Sequence, residues 1–146
     1  MEPLDLRVAP PRKPRAELAG IVFLPRSIDK VRATLPGGHL GDYAIPGITA
    51  MMLEALDVPL ADFIETVRLA ASDEDVAAFF TARTTPPVIE TWNATVSVRE
   101  PAGGDRAVAL ERYPWLTERP DLTAVVDVLE EDDRRSFSRE PQPPHP

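Results

Sequence analysis

The sequence contains no cysteine, which excludes disulfides, thiolate metal sites, iron–sulfur clusters and a cysteine nucleophile. Histidine is nearly as scarce. Only His39 and His145 occur, so imidazole acid–base chemistry in the body of the chain rests on His39. Zinc-type ligand patterns cannot be assembled from that inventory. No stretch approaches the ~20 apolar residues of a membrane span. Met1–Arg7 mixes acidic and basic side chains without an apolar run, so it does not read as a secretory signal, and a cytoplasmic location is expected. There is no Gly-x-Ser-x-Gly elbow and no glycine-rich phosphate loop ending in Gly-Lys-Ser/Thr. Basic charge is also in short supply, with 16 Lys and Arg against 24 Asp and Glu for a formal charge of −8. A field of that sign disfavours phosphate backbones and anionic bilayers. Neither nucleic acid nor membrane is therefore expected as a partner, and no cofactor is indicated.

Proline is abundant instead. The 17 prolines among 146 residues crowd the two ends. Pro3, Pro10 and Pro11 make residues 1–13 an extended or disordered leader, because proline removes backbone donors and favours extended chain. Residues 134–146, with Pro141, Pro143, Pro144 and Pro146, read as a disordered tail that buries too little apolar surface to offset ordering. The remaining span, 14–133, is expected to be one helical domain of ordinary size.

The apolar spacing in that span is mostly helical. Leu18, Ile21, Leu24, Ile28, Val31 and Leu35 recur every three or four residues. Pro25 inside this run either kinks one helix or starts a second one in its first turn. Pro36-Gly37-Gly38 stops it. Further helices follow Pro46, Pro59 and Ser72. Ser72 is placed as the cap of a capping box, accepting from the Asp75 amide. Residues 91–99 fit a helix by Trp92 and Val96, and a strand by the alternation of Trp92, Ala94, Val96 and Val98 with polar neighbours. A helix fraying near Val98 is the reading adopted. A short helix near Asp105 and a last one opening at Asp121 complete an all-α, irregular single-domain bundle of about six or seven short helices between disordered proline-rich termini.

Chemistry concentrates in one stretch. At 100° per residue Arg26, Asp29 and Lys30 share a helix face opposite Ile28, Val31 and Leu35, and Asp29 is spaced to bridge Arg26 and Arg32. The plain reading is a solvated charged face. The functional reading is an anion-binding patch with Arg26 and Lys30 as donors and Asp29 orienting them, since this segment is locally basic in an acidic chain. The following loop carries His39, Asp42 and Tyr43 among glycines that let backbone amides approach a ligand. Glu130 to Asp133 could offer oxygens to a hard cation but lacks calcium-loop spacing, so no metal site is expected. Trp92 reads as core, with Asn93 serving a local backbone group. Tyr113-Pro114-Trp115-Leu116 reads as a packed connection.

The run Pro11-Arg12-Lys13-Pro14-Arg15-Ala16-Glu17-Leu18-Ala19-Gly20, then Leu24-Pro25-Arg26-Ser27-Ile28-Asp29-Lys30 and Leu40-Gly41-Asp42-Tyr43, resembles the bacterial family catalogued as domain of unknown function 5069. Trp92-Asn93 and the segment Asp127 to Arg134 are similar as well, so the resemblance covers roughly residues 11–135. It departs after Tyr43, where the family pattern has a polar stretch with Cys-Pro-Leu-Asp and this chain has Ile45-Pro46-Gly47-Ile48. The resemblance implies an all-helical fold and a bacterial cytoplasm, and no activity.

The expectation from these residues is a non-enzymatic binding or interaction domain. It would recognise a small anionic ligand or a protein partner through Arg26, Asp29, Lys30 and Arg32 together with His39, Asp42 and Tyr43. The alternative is a small enzyme using His39 with Asp42 or Tyr43 as acid–base groups.

Overall fold

The computed structural model describes residues 1–138. Helices dominate. Seven α-helices occur among the described residues: α1 Leu24–Arg32, α2 Ile48–Ala55, α3 Leu60–Leu69, α4 Asp73–Thr81, α5 Pro86–Val98, α6 Arg106–Arg112 and α7 Val125–Phe137. The one sheet among the described residues pairs two short antiparallel strands, β1 Glu17–Leu18 and β2 Ile21–Val22. Contacts divide the chain into two compact units, Met1–Ser97 and the residues from Val98 onward.

The first unit holds β1, β2 and α1 to α5. Leu18 and Ile21, expected on a helix, belong to the hairpin. Its turn is Ala19-Gly20, with φ of +53° and +75°, the left-handed pair that a two-residue hairpin turn requires. Pro25 takes the second reading offered for it, lying in the first turn of α1, where its missing N–H costs nothing. Leu35 falls beyond the helix, which ends at Arg32. The expected stripe persists in part, with Ile28 and Val31 buried beside Phe23, Phe63, Val67, Val76 and Phe80. The Phe63 and Phe80 rings meet edge-on, 5.9 Å apart, a favoured aromatic geometry.

Residues 86–98 are helical throughout, so the alternating pattern there is not a strand. Trp92 is core, 2% exposed, and its indole Nε1 donates to the Val22 carbonyl at 2.9 Å. Asn93 serves distant groups rather than a local one: Oδ1 accepts from the Val22 amide at 3.0 Å and Nδ2 donates to the Gly20 carbonyl at 2.8 Å. The open edge of β2 is thereby satisfied by side chains of α5. At the start of α4 the Ser72 hydroxyl makes no cap bond; the Asp75 amide reaches the Ser72 carbonyl instead. Asp75 then accepts from the Ala71 amide at 2.8 Å, so an acidic side chain, not the serine, satisfies an orphan donor there.

The leader is tied down. Leu6 is buried, Leu6 N–H donates to the His39 carbonyl at 2.8 Å, and His39 N–H donates to the Leu4 carbonyl at 3.0 Å. Residues 5 and 39 thus form an isolated parallel bridge.

The second unit packs α6 and α7 around Ala109, Leu116 and Val128, with Leu110, Tyr113, Trp115 and Leu122 against them. Asp105 caps α6 by accepting from Val108 N–H at 3.2 Å. The last helix starts at Val125, later than the expected Asp121. Asp121 instead forks onto Arg119 in the preceding turn, which takes it out of the capping role. Trp115 packs as expected, its Nε1 donating to Asp132 at 3.1 Å with Arg135 stacked 4.7 Å over the ring. Glu131 gathers Arg134, Arg135 and Arg119. Bonds from Arg134, with those from Arg135, hold its carboxyl down at about 2 despite opposing desolvation. Within the acidic run, Glu131 is therefore engaged in ion pairs and Asp132 in a hydrogen bond from Trp115. No group with metal-holding geometry occurs among the described residues. The final helix runs to Phe137, past the expected boundary at 133, and the rest of the proline-rich tail, 139–146 with His145, lies outside the described residues.

Candidate functional site

The charged face of α1 is not solvated. Every residue from Ile21 to Val31 is buried, including Arg26 at 1%, Asp29 at 4% and Lys30 at 8% exposure. Burial of three ionisable side chains on consecutive turns demands partners, because a desolvated charge without compensation costs several kcal/mol. Much of the compensation comes from outside the helix.

Asp29 is the hub. The backbone N–H of Arg12 donates to its Oδ2 at 2.8 Å, and the Arg12 guanidinium adds Nε and Nη2 bonds of 3.0–3.2 Å. Arg32 approaches from the next turn at 3.8 Å. The helix-face geometry anticipated Arg32 on Asp29; Arg12, from the leader, adds a cation that it did not anticipate. The same guanidinium extends to α4, where Nη1 and Nη2 meet Asp73 at 2.6 and 3.1 Å. Burial alone pulls the Arg12 guanidinium toward deprotonation, but the bonds to Asp73 and Asp29 outweigh it and the net shift is upward. Arg12 in turn holds the Asp73 carboxyl below the usual carboxylate range. One arginine therefore joins the leader, α1 and α4 through two carboxylates.

Arg26 and Lys30 take a different direction. Arg26 donates to the Arg12 carbonyl at 3.2 Å, and its guanidinium carbon lies 5.9 Å from the Phe23 ring and 5.5 Å from the Tyr43 ring. The Lys30 ammonium sits 5.6 Å from Phe23, within the ~6 Å at which a ring quadrupole attracts a cation. Phe23 caps α1 at φ +77°, an outlier for a bulky residue. Its neighbours hold it there: Phe23 N–H donates to the Ala16 carbonyl and its own carbonyl accepts from Ser27 N–H. Backbone strain of this kind is retained where the structure over-determines it, and it clusters at functional sites.

Tyr43 arrives on the connection 33–47, which carries no helix and only the single bridge at His39. Connections beyond ~12–15 residues without structure of their own are uncommon and are enriched in binding loops. His39 is exposed, and its Nδ1 accepts from Gly41 N–H at 2.9 Å, so this nitrogen serves the turn. Asp42 is exposed on the same turn. At the far end of the loop, Ser27 and Thr49 share a buried hydroxyl contact of 2.8 Å that joins α1 to α2.

Of the residues singled out in the sequence, then, Arg26, Asp29, Lys30, Arg32 and Tyr43 come together, and His39 and Asp42 lie on the exposed turn of the same loop. Sequence reasoning missed Phe23, Arg12 and Asp73. For Arg12 a signal existed in the Pro-Arg-x-Pro-Arg run, whereas nothing local marks Asp73.

The family model described as Domain of unknown function (DUF5069) matches residues 8–135. The chain belongs to this family. The span matched to the family takes in Arg12, the hairpin, α1 with its buried charges, and the Tyr43 loop. No curated protein matches the chain. No helix among the described residues is long and apolar enough to cross a membrane.

Proposed function

We propose that this chain is a non-enzymatic binding domain for a small anionic ligand, received by Arg26 and Lys30 beneath the Tyr43 loop. The observation that carries the reading is the gathering of two cationic heads on the Phe23 ring, at 5.9 and 5.6 Å, with Tyr43 closing over Arg26. Asp29 is engaged by Arg12 and Arg32, so the carboxylate on the same helix orients the framework. An arginine fork beside a lysine point charge suits a carboxylate or phosphate. Their depth favours a small ligand over a flat protein surface, and entry requires the 33–47 loop to lift. His39 is read as a turn group of that loop, which is why binding is preferred over acid–base catalysis.

The test is a thermal-melt series with inorganic phosphate, nucleotides, sugar phosphates and dicarboxylates. The wild type is compared with Lys30→Met, which keeps the apolar stem and removes the charge. A ligand at ~100 times its dissociation constant stabilises by about 2.7 kcal/mol, or roughly 5–15 °C for a domain this size. The expected result is a shift in the wild type that Lys30→Met loses. No shift from any anion, or an equal shift in the variant, overturns the proposal.

A further inference from the structure

A concavity lies between α2 and α5, lined by none of the buried charged residues of α1. It has a volume of about 590 Å³, inside the roughly 300–1,000 Å³ range of small-molecule sites. Met51 and Ala55 of α2 and Val88 and Trp92 of α5 give it apolar walls. What distinguishes it is the polarity of its remaining groups. The Trp92 N–H, the one donor of the indole, is already spent on the Val22 carbonyl. Thr91 donates its hydroxyl hydrogen to the Pro87 carbonyl at 3.0 Å and Thr95 donates to the Thr91 carbonyl at 2.8 Å. A hydroxyl whose hydrogen is committed offers only lone pairs. The lining carboxylate, Glu54, is exposed and accepts only. Helix N-termini usually supply free amides, but α5 opens with Pro86-Pro87, which have none to give. Glu54 and Ala55 also close α2, the end at which a helix dipole favours cations.

The geometry points to a binding site for a small amphiphilic cation, an ammonium group on an apolar body, with the body between Met51 and Trp92 and the head at Glu54. The site is opposite in sign to the Arg26–Lys30 cluster and does not depend on it. Its occupant must bring its own donors to these side chains, since they offer acceptors alone. A carboxylate or phosphate of the same shape meets Glu54 and two lone-pair-bearing hydroxyls.

Isothermal titration at about 0.15 M salt with n-octylammonium, octanoate and 1-octanol tests this. Octylammonium is expected to bind saturably, and octanoate at least about tenfold more weakly. Glu54→Gln, an exposed change, should weaken octylammonium about tenfold and leave 1-octanol unchanged. Ala55→Trp, which fills the groove, should remove binding of both. The proposal is overturned if octylammonium does not saturate, if octanoate binds equally, or if Glu54→Gln has no effect. It is likewise overturned if Ala55→Trp still binds, or if sedimentation shows a dimer that Ala55→Trp dissolves, which would give the groove to a second copy.

Discussion

Replacing Asp29 with alanine strips acceptors from three donors at once, and their surroundings set the cost of each loss. The Arg12 backbone N–H loses its 2.8 Å partner, worth about 1–3 kcal/mol for a buried donor left unmade. The Arg12 guanidinium keeps Asp73 and is 37% exposed, so water and the second carboxylate limit its loss to about 1 kcal/mol. Arg32 keeps its bond to the Glu2 carbonyl and adds little. The sum is about 3 kcal/mol, at the lower edge of the roughly 3–5 kcal/mol found when one partner of a buried pair is removed. Asp73→Ala should cost only about 1 kcal/mol, because its side chain is 27% exposed and Asp29 remains. With both removed, Arg12 has neither carboxylate, so the double variant should lose more than the sum by roughly 0.5–1 kcal/mol. Urea unfolding followed by circular dichroism reads all four proteins. High salt should erase the Asp73 term before the Asp29 term, since exposed pairs are screened first. A cost for Asp29→Ala under about 1 kcal/mol, or no greater than that of Asp73→Ala, would refute the role of Asp29 as the hub.

Two further outcomes are expected. Asp73 and Glu131 carry folded-state pKa values below their ordinary ones, Glu131 at about 2 against 4.5. Their contribution is present above the unfolded value and is lost as pH falls through the folded one. Stability should hold from neutrality down to about pH 5 and decline between about 4.5 and 2, and melting in citrate and glycine buffers checks the window. Gly38→Ala would place a methyl 2.6 Å from the Ala33 carbonyl oxygen and 2.9 Å from its carbon. Backbone cannot swing aside as a side chain does, so a loss of about 1–3 kcal/mol is expected, and an unchanged melting temperature would contradict it.

How much of this could be read from the chain depended on distance along it. Ile28 and Val31 were found because helical burial repeats locally, and α5 because Trp92 and Val96 recur at the helical interval. The hairpin was missed because Leu18 and Ile21 stand three apart, a spacing that a helix and two strands around a two-residue turn both produce. The turn itself, Ala19-Gly20, was the overlooked cue. On α1 the helical wheel placed Arg26, Asp29 and Lys30 correctly on one side but could not say that this side was buried. Arg12, which binds Asp29, and Asp73, which binds Arg12, stand 17 and 44 positions from Asp29 in a leader and a later helix. Pairwise rules within a helix do not reach that far, and an acidic chain rich in surface charge gives many false partners for each true one.

The clamp of Trp92 and Asn93 on Val22 has a consequence for how the chain comes into being. Val22 is separated from these partners by 70 and 71 positions. At a translation rate of about 5–20 residues per second, that interval lasts roughly 4–14 seconds. During it the ribosome has released the hairpin but not the helix that covers its edge. The Val22 amide and carbonyl must wait on solvent, and an uncovered strand edge is a template for pairing with another nascent chain. A strand of two residues offers such a template very little to grip, so the brevity of β2 limits what an uncovered edge can recruit.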